Sequence, residues 1–241
     1  MQLQDILYSQ GFGTRRVCAG LVQHGHVTVE GQTCTDAAAD VEATGLKFTV
    51  QSVAWTYHAL AYVLLHKPAG TECSQKPSTW PSVYTLLPPP LRQRPQKAAV
   101  QGVQCVGRLD QDTTGMLLMT DDGKFIHRMS SPRHHVPKVY DVKTKHAVDA
   151  KQIDKLLCGV VLDDDPKPVS AAACEATSDF TLKLTLTEGK YHQVKRMLAA
   201  VGNRVEGLHR SKIGAMSLPS DLPPGQWRWL SAEDLGQLWT P

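Results

Sequence analysis

The chain has 241 residues, 20% charged and 41% hydrophobic, the composition of an ordinary globular protein and not of a disordered or fibrous one. No apolar run approaches the roughly 20 residues of a membrane-spanning helix. The opening Met1-Gln2-Leu3-Gln4-Asp5 lacks the basic start and apolar core of a secretory signal, so a cytoplasmic protein is expected. The net charge of +3 is unevenly spread: residues 1–60 hold three Lys/Arg against five Asp/Glu, a net −2, leaving +5 on the remainder. A mildly basic main domain is compatible with phosphate contacts without requiring them. Six scattered cysteines without a Cys-x-x-Cys pair argue against zinc, and a reducing compartment argues against disulfides.

In chain order, Leu3, Ile6 and Leu7 predict a short helix that Gly11-Phe12-Gly13 stops. Thr14 is a natural N-cap for a second helix through Val22, with Arg15 and Arg16 in its first turn. His26 to Glu30 alternates as a strand and turns at Gly31, whereas Gln51 to Ala59 shows no period and reads as a linker. Ala61 to Leu65 reads as a buried strand closed by Lys67-Pro68-Ala69-Gly70, and the Pro- and base-rich residues 87–99 as an exposed loop. Met116 to Met119 predicts a strand ending at Asp121-Asp122-Gly123, followed by a helix from Lys124 to Met129. Lys138 to Val142 predicts a strand, Gln152 to Cys158 a helix with Gly159 behind it, and Asp163-Asp164-Asp165 a solvated acidic turn. Leu182, Leu184 and Leu186 alternate on a strand, and Val194, Met197, Leu198 and Val201 then recur as one helical face before Gly202-Asn203. Strands and helices mix without a βαβ repeat, so the expected class is α+β.

Between two apolar segments lies Gly107-Arg108-Leu109-Asp110-Gln111-Asp112-Thr113-Thr114-Gly115, dense in polar and turn-forming residues. A scaffold presents a reactive group on such a loop. Its local composition equally describes a hairpin whose Asp and Thr side chains cap their own backbone. Taken alone, Tyr140 reads as a strand tyrosine with a buried ring, and Lys195 and Arg196 as the solvated face of a helix. Lys190, Lys195, Arg196, Arg204, Arg210 and Lys212 concentrate positive charge in one stretch, suited to phosphate groups. Arg133 with His134 and His135 reads as a phosphate or nucleotide contact, since adjacent histidines on a loop point apart too readily to share a metal. Arg108 either supports the Asp110 loop or meets a phosphate backbone.

Val106 to Gly115, continuing through Thr120-Asp121-Asp122-Gly123, resembles the central motif of the pseudouridine synthases that modify ribosomal RNA. Ser130-Ser131-Pro132-Arg133-His134-His135 with Lys138-Val139-Tyr140 is similar to the small-subunit rRNA branch of that family. Glu188 to Met197 and Leu208 to Gly214 resemble two further motifs in order. The resemblance implies that Asp110 is catalytic, that Tyr140 stacks on the target base, and that Lys195 ion-pairs with Asp110. Ile213 would pack near the base. The implied reaction breaks the N1–C1′ bond of a uridine, turns the base and rejoins it through C5, with no cofactor and no metal. Asp110 would act either as nucleophile at C1′ or as base at C2′, and both routes stay open. The uridine must first be flipped out of its stack.

Residues 1–45 are similar to the alpha-L RNA-binding domain, departing from it at Gln2, Gln4, Gln23 and His24, where charged residues are usual. His66 stands where the synthase family usually has Asn. The expected organisation is an alpha-L RNA-binding domain with its linker over 1–59 and a mixed or antiparallel-sheet catalytic domain over 60–241. The expected partner is small-subunit ribosomal RNA, free or as an assembly intermediate, met by a monomer away from membranes. Large-subunit rRNA or tRNA as substrate, a non-catalytic assembly factor, and a sugar-active hydrolase using Asp110 and Asp112 are the alternatives.

Overall fold

The computed structural model describes residues 1–96, 101–163 and 165–239. The chain falls into two units, one of Met1–Tyr62, Leu87–Gln104 and Met119–Gly123, the other of Val63–Leu86, Cys105–Leu118 and Lys124–Pro241.

In the first unit, Leu3, Ile6, Leu7 and Gln10 are buried on one face of the helix Leu3–Gln10, and Gly11 ends it at φ +90°. The helix Arg15–Gln23 begins as expected at Thr14, whose hydroxyl accepts from the Val17 amide at 3.3 Å. Four antiparallel strands follow in the order Gln32–Cys34, Val27–Val29, Lys47–Val50, Val53–Thr56. The linker expected from Gln51 is therefore replaced in part by an edge strand. Gln51 and Ser52 turn the chain with φ of 49° and 68°, the two-residue hairpin geometry, without the Asn-Gly or Asp-Gly that announces it. Of Val53–Thr56, Trp55 alone is buried, against the edge of the Phe12 ring at 5.4 Å, so no alternation is visible in the sequence.

The loop expected over 87–99 is not uniformly exposed either. Pro89–Gln93 is a short helix with Pro in its first turn and Leu91 buried, and Arg94 behind it is 2% exposed. Arg94 pairs with Asp121 at 2.5 Å and donates to Gln10 Oε1 and to the carbonyls of His58 and Ala59, which satisfies its fork. Residues 97–99 of that loop, and Asp164 of the acidic turn, lie outside the described residues.

The second unit is built on a nine-stranded sheet whose path runs Ala173–Ser178, Thr181–Leu186, Lys138–Thr144, Val205–Ile213, Thr114–Thr120, Tyr62–Lys67, Trp227–Trp229. Val205–Ile213 pairs parallel with Thr114–Thr120 and antiparallel with Lys138–Thr144, so the sheet is mixed and the class is α+β. Leu182, Leu184 and Leu186 are buried on one face of their strand as their spacing predicts. The helix Gln193–Ala200 buries Val194, Met197 and Leu198, and closes with the Asn203 amide donating to the Leu198 carbonyl at 2.9 Å. Val205–Ile213 was not legible as a strand, because register shifts at Val205/Gly207 and Arg210/Lys212 destroy the alternation. Gly115, at φ +106°, sits where a Cβ would collide with the Arg210 backbone, so only glycine permits this parallel approach. Among the described residues no helix is long and apolar enough to cross a membrane.

Candidate active site

The strand Lys138–Thr144 places Lys138 and Tyr140 on one face, two residues apart. Its register sets Tyr140 between Leu184 and Arg210, and Lys138 between Leu186 and Ile213. With the Val106–Thr113 loop and the start of the helix Gln193–Ala200, these residues line a cleft of about 360 Å³ within the second unit. Asp110, Tyr140, Lys195, Arg108, Lys190, Arg210 and Ile213, distant in sequence, all lie on its wall. Five Lys/Arg side chains line it against two carboxylates, Asp110 and Glu188, so the cleft is basic although the protein is nearly neutral.

The Asp110 loop is held from below. Lys67 is fully buried, and its ammonium donates to the carbonyls of Pro68 at 3.0 Å, Gln111 at 3.3 Å and Thr113 at 2.9 Å. Burial pulls its pKa below the ordinary lysine value, against the opposing pull of nearby thiols and of Asp112 and Asp110. The Gly70 amide donates to the Gln111 carbonyl at 2.8 Å, and the Thr113 amide closes a turn on the Asp110 carbonyl at 3.1 Å. The Leu109 amide donates to Cys73 Sγ at 3.5 Å. The chain is thus tied down on both sides of Asp110.

The Asp110 carboxylate does not cap its own turn. Its Oδ2 lies 3.2 Å from Lys195 Nζ and its Oδ1 3.3 Å from His192 Nε2. Lys195 is shared, because it also donates to Asp112 at 2.7 and 2.9 Å. Burial lowers the Lys195 pKa, but its hydrogen bonds to Asp112 and Asp110 outweigh this and hold it above the ordinary value. Burial likewise raises Asp112, and the Lys195 hydrogen bond outweighs it, so that carboxyl stays below the usual range. His192 takes a left-handed conformation, φ 49° and ψ 31°, at the head of the helix, and its ring stacks on Tyr191 at 3.8 Å. Buried Gln193 joins the turn to the helix, donating to Glu188 at 2.9 Å and accepting from the Lys190 amide at 2.8 Å, which sets where Lys195 projects.

Tyr140 and Ile213 are buried, Arg108 is exposed at the rim, and Arg210 is 3% exposed with Nε donating to the Met116 carbonyl at 2.8 Å. Other expected residues fall elsewhere. Arg196 does not line the cleft and donates to the Tyr191 carbonyl at 3.0 Å. Arg133 and His134 are exposed on the turn Pro132–His134 and do not line it either. Arg15 and Arg16 belong to the first unit, both exposed, with Arg15 held by Asp5 at 3.3 Å and lying 4.2 Å over the Tyr8 ring.

His192, Lys138, Lys67 and Thr113 are the site residues that reading the sequence did not single out. All four sit inside quoted segments, His192 between Tyr191 and Gln193, Lys138 two residues before Tyr140, Thr113 in the Asp110 loop and Lys67 before Pro68, which was the available signal. Lys138 is the most perturbed of the cleft cations: burial, and then the Arg210 charge, push it down to about 8 from the model-compound value of 10.5. Below that pH the fold holds a poorly solvated ammonium. Between 8 and 10.5 the unfolded chain keeps a proton that the folded chain has lost, so this group makes stability rise with pH across that window. Lys138→Met is expected to stabilise the protein on the order of 1–3 kcal/mol near neutral pH. Thermal unfolding should show that advantage shrinking as pH rises toward 10.5.

Comparison with known proteins places the chain in a family. Residues 1–45 match the S4 domain. Over its full length the chain resembles the ribosomal small subunit pseudouridine synthases A of Vibrio cholerae, at 35% identity over 99% of this chain and 100% of that protein, and of Pasteurella multocida, at 37% over 98% of each. A crystal structure of a pseudouridylate synthase superposes with a TM-score of 0.69, at 31% identity over 99% of both chains. Residues 61–200, which carry the Asp110 loop, Tyr140 and Lys195, match the RNA pseudouridylate synthase family, and the chain belongs to that family.

Proposed function

We propose that this enzyme converts one uridine of small-subunit ribosomal RNA to pseudouridine, with Asp110 as the catalytic carboxylate acting on the flipped nucleotide. The observation that carries the reading is the Asp110 carboxylate held between Lys195 and His192 in a basic cleft that Tyr140 also lines. A family member with this arrangement has a carboxylate beside two basic side chains, an aromatic face for the base and cations for the phosphates flanking it. The small-subunit assignment rests on relatives at 35% and 37% identity that cover the whole chain. In this reading residues 1–59 are an RNA-binding domain with its linker and residues 60–241 the catalytic domain, acting as a monomer in the cytoplasm. The Arg15–Asp5 pair leaves the first domain little free positive charge, so its role is to position the RNA rather than to dominate affinity.

The test is to incubate the purified protein separately with unmodified small-subunit rRNA, large-subunit rRNA and tRNA, then map carbodiimide-dependent stops of reverse transcription. A single new stop in the small-subunit RNA is expected. A stop confined to another pool would reassign the substrate, and tight binding without any stop would make the protein an assembly factor.

A further inference from the structure

Two buried side-chain atoms, Nη2 of Arg210 and Oγ1 of Thr113, have no hydrogen-bond partner among the described residues. Both residues line the cleft that holds Asp110 and Tyr140, and they are 3% and 1% exposed. Leaving a buried donor unsatisfied is costly, so such a group marks a place that a ligand completes. The other end of Arg210 is fixed by its Nε bond to the Met116 carbonyl, with Gly115 allowing the strands to close up behind it. Lys138 brings a second cation to the same wall. Its ammonium donates to the Val136 carbonyl at 3.0 Å, and neither it nor Arg210 forms an ion pair among the described residues. A buried guanidinium and a half-buried ammonium on one cleft wall, neither paired with a carboxylate among the described residues, form an anion site.

We propose that Arg210 and Lys138 are the subsite for the uracil base itself, with Nη2 of Arg210 donating to a ring carbonyl oxygen and both cations holding the negative charge of the detached base. The inference rests on the function proposed above. When N1–C1′ breaks, by attack of Asp110 at C1′ or by loss of the C2′ proton, the electron pair stays on N1 and spreads onto the ring oxygens. Rejoining forms C5–C1′ as the Asp110–C1′ bond breaks or as C2′ regains its proton, after which C5 loses a proton and N1 gains one, so the reaction balances without a co-reactant. Fixed cations at those oxygens stabilise charge that develops as the bond breaks. Register favours the base over a backbone phosphate as the anion: Arg210 lies directly opposite Tyr140, and Lys138 opposite Ile213, whereas the exposed cation Arg108 sits at the rim. Thr113 offers its free hydroxyl to the same ligand.

The test compares single-turnover cleavage in small-subunit rRNA transcripts carrying uridine or 5-fluorouridine. Fluorine withdraws electrons from the ring and stabilises the departing base without help from the protein. Lys138→Met, which should fold better than the wild type, and Arg210→Gln are expected to slow reaction of uridine at least about 100-fold, with RNA affinity nearly unchanged, but to slow 5-fluorouridine cleavage about tenfold or less. Loss of the parent nucleoside after nuclease digestion reads the cleavage step in both RNAs. An equal loss on the two RNAs, a loss confined to Kd, or failure of the wild type to cleave the 5-fluorouridine RNA overturns the inference. A wild type inactive on every uridine RNA would instead overturn the functional reading beneath it.

Discussion

Asp110→Asn is expected to abolish pseudouridine formation while leaving the protein folded. The amide keeps the volume and one oxygen of the carboxylate but loses its charge and its capacity to act as nucleophile or base. Removing such a group from an active site typically costs ~10⁴-fold or more in turnover. The surroundings make the variant informative, because Lys195 keeps its two short contacts to Asp112 when Asp110 is neutralised. The loop also stays anchored, since Lys67 binds the carbonyls of Gln111 and Thr113 and not the Asp110 side chain. Unfolding temperature and RNA affinity should therefore stay close to wild type while the carbodiimide stop disappears. Retained activity in Asp110→Asn would sink the catalytic assignment. Asp112→Asn is the matching control, with a smaller loss expected because Asp110 still holds Lys195.

Arg94→Met should be the most damaging substitution for stability, at about 3–5 kcal/mol. Arg94 and Asp121 have side chains 2% and 5% exposed and belong to the same unit. Removing the guanidinium strands a buried carboxylate and takes a donor from Gln10 Oε1 and from the carbonyls of His58 and Ala59, although Gln10 Oε1 keeps the His58 amide and the His58 carbonyl keeps Gln10 Nε2. At 5% exposure the Asp121 side chain has little access to water that could replace what is lost. A fall in melting temperature of about 10 °C or more should follow. Adding Asp121→Leu should recover part of this by removing the unpaired charge. Full recovery is not expected, because Asp121 also accepts from the Ala61 amide at 2.7 Å. A single variant that melts within a degree or two of wild type would show that the pair contributes little.

Sequence reading succeeded where one periodic face packs on one side. Leu3, Ile6 and Leu7, the Leu182–Leu186 alternation, and Val194, Met197 and Leu198 all gave elements that the structure contains. It failed where burial and period part company. Val53–Thr56 is an edge strand with one buried residue, and Val205–Ile213 is interrupted by two register shifts. Arg94 was placed on an exposed loop because an arginine among prolines carries no sign that four acceptors await it inside the fold.

For the site, the motifs by themselves pointed to Asp110, Tyr140 and Lys195, and the chain's membership of the RNA pseudouridylate synthase family followed from the same segments. Those are properties of short stretches, in which residue type and spacing suffice. What surrounds each group was decided by tertiary structure alone. The sharing of Lys195 between Asp110 and Asp112, the approach of His192 to Asp110, and the placing of Lys138 and Arg210 on one cleft wall depend on strand register and on the parallel approach that Gly115 permits. Burial and neighbouring charge set what a lysine or arginine does, and neither is a property of the residue or of its place in the chain.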